Sequence, residues 1–125
     1  MNNSKEFEKK IGYTFRDRQL LDKALTHSSY VKENGQSRLN DNERLEFLGD
    51  AFFDAVIGEA LYRALPQAEE GTLTKMRASI VCEKSLARAG RRLGIGRHML
   101  FSRGEEKCGG RDRASILADA MEAVI

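Results

Sequence analysis

A chain of 125 residues, 41% hydrophobic and 32% charged, is one domain with enough apolar material for a real core. It has no Trp, a single Pro and no apolar run near the ~18 residues of a membrane span, and no apolar stretch follows the lysines of its first ten residues, so a cytoplasmic protein is expected. Net charge is +2, but residues 1–70 carry 10 Lys and Arg against 13 Asp and Glu, while residues 71–125 carry 11 against 6. A basic second half beside acidic helices suits a protein that holds a polyanion near bound metal. Taken alone, the same asymmetry describes any solvated charged surface. Cys82 and Cys108 form no C-x-x-C pair and read as reduced thiols.

Helical signals follow one another along the chain. Lys5 to Lys10 reads as a short helix before Gly12, and Asp17 can cap a second helix whose inner face is Leu20, Leu21, Ala24 and Leu25. Tyr30 to Leu39, with Asn34-Gly35, reads as a polar loop. Asn40 or Asp41 caps a long helix that Pro66 ends. Gly71-Thr72 opens a helix bearing Leu73, Met76, Ile80 and Val81. Another starts near Glu83, with Leu86, Ala89 and Leu93 inside and Gly94 as the stop. Residues 95–110 alternate weakly and read mostly as loop. Asp112 caps the last helix, Arg113 to Ile125. No strand pattern or repeat appears, so the predicted fold class is all-α.

The long helix contains the most informative stretch, N-E-R-L-E-F-L-G-D at Asn42–Asp50. Glu43, Glu46 and Asp50 fall within roughly 60° of one another on the helical wheel, and Asp54 extends the stripe. Leu45, Leu48, Phe52, Ala55 and Val56 occupy the other face and read as the core side. Like charges at this spacing repel by a few tenths of a kcal/mol each, so local stability does not ask for the stripe. A divalent cation does. The helix macrodipole favours acids in the first turn but does not account for Asp50 in the third. On the last helix, Asp119 and Glu122 share a face opposite Ile116, Leu117 and Met121. Packed together, the two helices would converge four carboxylates, a hard oxygen set that selects Mg²⁺, Mn²⁺ or Ca²⁺ over zinc.

N-E-R-L-E-F-L-G-D resembles the signature of the ribonuclease III family of double-stranded-RNA endonucleases. Supporting stretches run in the right order through the chain. They are Ile11–Phe15, A-L-T-H-S-S at Ala24–Ser29, E-G-T-L-T-K-M-R-A at Glu70–Ala78 and S-I-L-A-D-A-M-E-A-V-I at Ser115–Ile125. The resemblance implies the all-helical, homodimeric ribonuclease III nuclease fold and Mg²⁺-dependent hydrolysis of double-stranded RNA, with Mn²⁺ substituting. It implies 5′-phosphate and 3′-hydroxyl ends, in the maturation of ribosomal RNA precursors and other structured RNAs. By position, Glu46, Asp50, Asp119 and Glu122 match the family's metal-binding carboxylates, with Asp50 and Glu122 at the catalytic centre. Glu43 and Glu70 match two further acids lining the same cleft. Ala51 stands where many relatives have Ser. Attack on a phosphodiester needs a hydroxide-like nucleophile and a stabilised leaving 3′-oxygen, which two Mg²⁺ ions about 4 Å apart supply. The resemblance also assigns Phe47, which lies beside the acidic stripe, to a pocket on the partner subunit. Residues 1–125 would be a nuclease domain truncated at its C-terminal end, because Ile125 falls within an apolar helical face. The double-stranded-RNA-binding domain that usually follows would be absent.

Competing constellations are weaker. His27 in T-H-S-S has no third residue to orient it as a base for a serine nucleophile, and reads as a structural histidine near a helix end. His98 reads as a lone loop or surface histidine and Cys82 as a small core filler. Gly109-Gly110-Arg111 could cradle a phosphate or simply turn the chain into the last helix. G-x-G at Gly94–Gly96 lacks the rest of a nucleotide fingerprint. A catalytically silent RNA-binding member would have lost Asp50 or Glu122, and neither is lost. A helical nucleotide phosphohydrolase would show His–Asp ligand pairs, and this sequence has none.

Overall fold

The computed structural model describes residues 3–125. Eight α-helices appear in it: α1 (Asn3–Ile11), α2 (Arg18–Ala24), α3 (Ser28–Glu33), α4 (Glu43–Ala64), α5 (Glu70–Ile80), α6 (Glu83–Leu93), α7 (Arg103–Lys107) and α8 (Ala114–Val124). Short 3₁₀ turns lie at Arg38–Asn40, Ile95–His98 and Gly110–Asp112. Among the described residues extended pairing is limited to one isolated bridge between Thr26 and Leu100.

The capping residues explain most boundaries. Asp17 accepts a hydrogen bond from the Gln19 amide and starts α2. Asp41 accepts from the amide of Glu43 at 2.9 Å, doing the capping work for α4 although Asn42 holds the cap position. Gly94 takes φ +66° and closes α6 in the left-handed conformation that a side chain disfavours.

Helix α8 is the centre of the molecule, with α4 packed on one flank and α6 on the other. Ala118, Ala120 and Ala123 keep it slim enough for close neighbours, while Ile116 and Leu117 reach into the core. That core also takes Phe7, Leu21, Leu25, Ile95, Met99 and Phe101. Glu8, buried at one edge, accepts from the Phe15 amide at 2.6 Å and from Arg18 at 2.8 Å, tying α1 to α2.

Four expectations change. Residues 30–39 are not simply a loop: α3 forms because His27 caps it and Val31 anchors it in the core. The segment 95–110 is far from featureless, since Ile95, Met99 and Phe101 are buried and α7 follows, capped by the Ser102 hydroxyl. Asp112 does not cap α8; it closes the preceding 3₁₀ turn, and Arg113 holds the cap position. The largest change concerns α4. Leu48, Phe52 and Val56 are 51%, 59% and 57% exposed, so the apolar face read as the core side is open. Its acidic side instead turns towards α8, because Gly49 sits at the crossing.

Candidate active site

The crossing of α4 and α8 is closer than side chains normally allow. A side-chain carbon at position 49 would overlap the main-chain carbonyl of Glu122, so the approach depends on Gly49 having none. Glu46 and Asp50 flank Gly49 on α4, and Asp119 lies one turn before Glu122 on α8. The crossing therefore brings the two acidic pairs together. Carboxylate oxygens of Glu46, Asp119 and Glu122 lie within 4.8 Å of one another, all three residues half-buried. Asp50 lies close enough to Glu122, and Asp119 to Glu46, to disfavour ionisation of the glutamate in each pair.

The close approach of these carboxylates concentrates negative charge. Burial, then the proximity and charge of Asp119, push Glu46 up to about 8. Burial and Asp50 push Glu122 up to about 7. Among the described residues no Lys, Arg or His forms an ion pair with any of the four acids. A carboxylate cluster left without cations takes up protons, and a bound dication would displace them. Oxygens on opposite sides of one ion are about 4.2 Å apart for Mg²⁺ and about 4.8 Å for Ca²⁺. The observed spread is of that order, and the all-oxygen donor set suits such an ion.

The other expected residues lie at different distances from this cluster. Glu43, in the first turn of α4, adds its charge to Glu46 and stands 3.8 Å from Arg38. Glu70 opens α5 and lines, with Asp54 and Arg77, a hollow of about 340 Å³ between α4 and α5. Asp54 in turn adds its charge to Glu122. Phe47 points away and is 81% exposed.

Histidine and cysteine roles are structural or differ from expectation. His27 Nδ1 accepts the Ser29 amide and its ring packs on Phe101, as a structural histidine would. Burial lowers its pKa despite the nearby charges of Glu105, Glu43, Asp41 and Asp119. His98 is not a surface residue: it is 5% exposed, packs on Phe7 and meets Lys10 Nζ at 3.3 Å. Cys82 sits half-buried at the α6 cap rather than in the core, its thiol hydrogen-bonded to Ser79 and Ser85. Gly49 is the functional residue that inspection of acids alone passes over. Its signal was a residue with no side chain lying between the two faces of α4.

The Ribonuclease-III-like family model matches residues 17–125. The chain belongs to the ribonuclease III family. It is 53% identical over 116 residues to Ribonuclease 3 of Pelotomaculum thermopropionicum, covering 93% of this chain and 48% of that protein. It is 54% identical over 118 residues to Ribonuclease 3 of Caldanaerobacter subterraneus, covering 94% and 51%. The ribonuclease III nuclease domain of Campylobacter jejuni, solved as a crystal structure, superposes with a TM-score of 0.89 at 44% identity. That match covers 99% of this chain and 80% of that one. A second structure of the same domain, described for structural flexibility in a region involved in dimer formation, gives 0.87 at 44% identity, covering 95% and 79%. This ribonuclease III domain spans about half the length of the curated relatives it matches. Its fold is the all-helical nuclease-domain fold, and none of its helices is long and apolar enough to cross a membrane among the described residues.

Proposed function

We propose that this domain carries out endonucleolytic hydrolysis of double-stranded RNA, as a Mg²⁺-dependent, homodimeric, cytoplasmic ribonuclease III acting on ribosomal RNA precursors and other structured RNAs. The observation that carries this reading is the meeting of Glu46, Asp119 and Glu122 at the Gly49 crossing, with Asp50 beside Glu122 and no ion pair to these acids among the described residues. These four residues would hold the metal, with Mn²⁺ able to replace Mg²⁺. When bound, such an ion lowers the pKa of water and stabilises the leaving 3′-oxygen. The chain's own contribution is to keep the carboxylates close and partly desolvated before any ion arrives. Asp50, the most exposed of the four, would meet substrate first, with Glu122 behind it close to Asp119. Glu43 and Glu70 would add acidic potential along the approach to the cleft. Phe47, exposed on the same helix, would insert into a pocket of a second copy.

Incubation of a labelled perfect RNA duplex with this chain and with a C-terminally extended one, in Mg²⁺ and in EDTA, tests the reading. Metal-dependent cleavage to short duplexes with 5′-phosphate and 3′-hydroxyl ends is expected, and Asp50→Asn and Glu122→Gln abolish it. A folded, dimeric extended chain that leaves the duplex intact in Mg²⁺ and Mn²⁺ would refute it.

A further inference from the structure

Helix α6 has a second charged face unrelated to the carboxylate site. Its one acidic residue, Glu83, is in the first turn. Lys84, Arg88, Arg91 and Arg92 lie within an arc of roughly 100° on the wheel, opposite the buried Leu86 and Gly90. The macrodipole favours Arg91 and Arg92 in the last turn, but Lys84 and Arg88 lie outside it and repel at i, i+4, so helix stability does not explain the whole face. Arg88 and Arg92 make no hydrogen bond or ion pair among the described residues, and both are exposed.

The face runs into a hollow of about 450 Å³ past the end of α6, lined by Arg91, Arg97 and Arg111 with Gly94, Gly96 and Asp112. Arg111 is committed to the fold: it donates to the carbonyls of Gly96 and Met99, pairs with Glu106 and lies over Phe101. Arg91 donates one bond to the carbonyl of Asp112 and keeps its charge unpaired. Arg97 is unpaired among the described residues. Lys10 Nζ joins it over Gly94, where a side-chain carbon would lie 3.1 Å from Lys10 Nζ and 3.4 Å from Arg97. The C-terminal pole of a helix carries about half a negative charge. Lys10, Arg91 and Arg97 together exceed what that pole can attract, and the surplus is available to a ligand.

We propose that the outer face of α6 and the hollow at its end form a second nucleic-acid surface, gripping backbone phosphates apart from the carboxylate cluster. α8 lies between α4 and α6, so this surface flanks the cluster rather than lining it. From Lys84 to Arg92 the helix rises about 12 Å. A duplex strand presents a phosphate roughly every 3.4 Å of its axis, so several fall within reach. No apolar side chain interrupts the cationic face, so it lacks the anchors a membrane surface requires. The choice of RNA as the polyanion rests on the endonuclease reading above; the affinity for phosphate does not.

Binding of a labelled RNA duplex is measured in EDTA, where no cleavage occurs, across a range of salt concentrations. The charge-neutral variant Arg88→Gln/Arg92→Gln/Arg97→Gln is compared with a control of equal net charge, Lys9→Gln/Arg16→Gln/Lys32→Gln. The expected result is a salt slope lower by about 2 to 3 in the first variant, at about 0.9 per lost phosphate contact, and nearly unchanged in the control. Arg88→Gln/Arg92→Gln alone, which removes no contact within the protein, should lower it by about 1 to 2. Tripolyphosphate, titrated against the amide resonances of residues 94–97, probes the hollow without RNA. Shifts with tripolyphosphate but no change in RNA slope would keep the phosphate site and overturn RNA as its ligand. Equal losses in variant and control, or no tripolyphosphate shift, would overturn the proposal. A lowered slope in a chain that never cleaves RNA would leave this surface standing and remove the endonuclease reading instead.

Discussion

Gly49 decides whether the acids of two helices become a site. Gly49→Ala places a methyl against the Glu122 carbonyl, and the helices must part. Overpacking of this kind costs about 1–3 kcal/mol, and the fixed backbone on the far side puts this case near the upper end. Urea unfolding should show the loss, together with weaker binding of Mg²⁺ by calorimetry; an unchanged midpoint would mean that the seam is looser than described. The acids also make a pH signature. Glu46 and Glu122 are raised to about 8 and about 7, above the ordinary 4.5, so the folded protein holds protons there that the unfolded chain has lost. Their stabilising contribution is complete below about pH 4.5 and is lost as pH rises through about 7 and 8. In EDTA, Tm should therefore fall between about pH 5 and pH 8 more steeply for the parent chain than for Glu46→Gln, and saturating Mg²⁺ should remove the difference. Glu8 works in the other direction and a lower window: the Phe15 amide and Arg18 hold it below the usual range, so its contribution is lost as pH falls below about 4.5. Identical slopes for the parent and Glu46→Gln would contradict the raised value at Glu46.

Among the helices, α8 bears the greatest packing burden, because it serves core and site together. Leu117, 1% exposed and packed between α6 and the 95–98 turn, holds the helix in register. Leu117→Ala should cost about 2–5 kcal/mol in chemical denaturation and lower metal affinity in parallel, since Asp119 and Glu122 ride on the same helix. A stability loss with unchanged metal binding would show that the site does not depend on this register. Much at this scale could be read from residue order. Asp17, Gly94 and Pro66 mark real boundaries because caps and stops act locally, and Glu46 of α4 comes close to Asp119 and Glu122 of α8 while Glu43 stays apart beside Arg38. What a helical wheel cannot supply is which face meets a neighbour. Leu48, Phe52 and Val56 look like a core, yet the bare flank at Gly49 admits α8 and turns the acids inward. The segment 95–101 was also hidden, since Ile95, Met99 and Phe101 are buried by a turn and a single bridge with no period to detect.

The whole molecule leaves a broad apolar strip of α4 facing solvent. Beside it, Phe15, Leu20, Leu45, Leu48, Phe52 and Val124 border a hollow of about 190 Å³. An exposed apolar patch on this scale marks an interaction surface. If a second copy covers part of it through Phe47, sedimentation should show a concentration-dependent dimer that Phe47→Asp dissociates. The variant's CD spectrum should be unchanged, because Phe47 is 81% exposed in its own chain. A dimer that survives Phe47→Asp would move the interface elsewhere. The close crossing at Gly49 also sets an order of events during synthesis. Its two sides lie about 70 residues apart, a separation whose closure is slow more than it is costly. A chain emerging from the ribosome displays Glu46 and Asp50 early and has nothing to pair them with until Asp119 and Glu122 follow. Half-made copies therefore carry the signature helix without its acidic partners, and the cluster exists only once α8 has been made and packed.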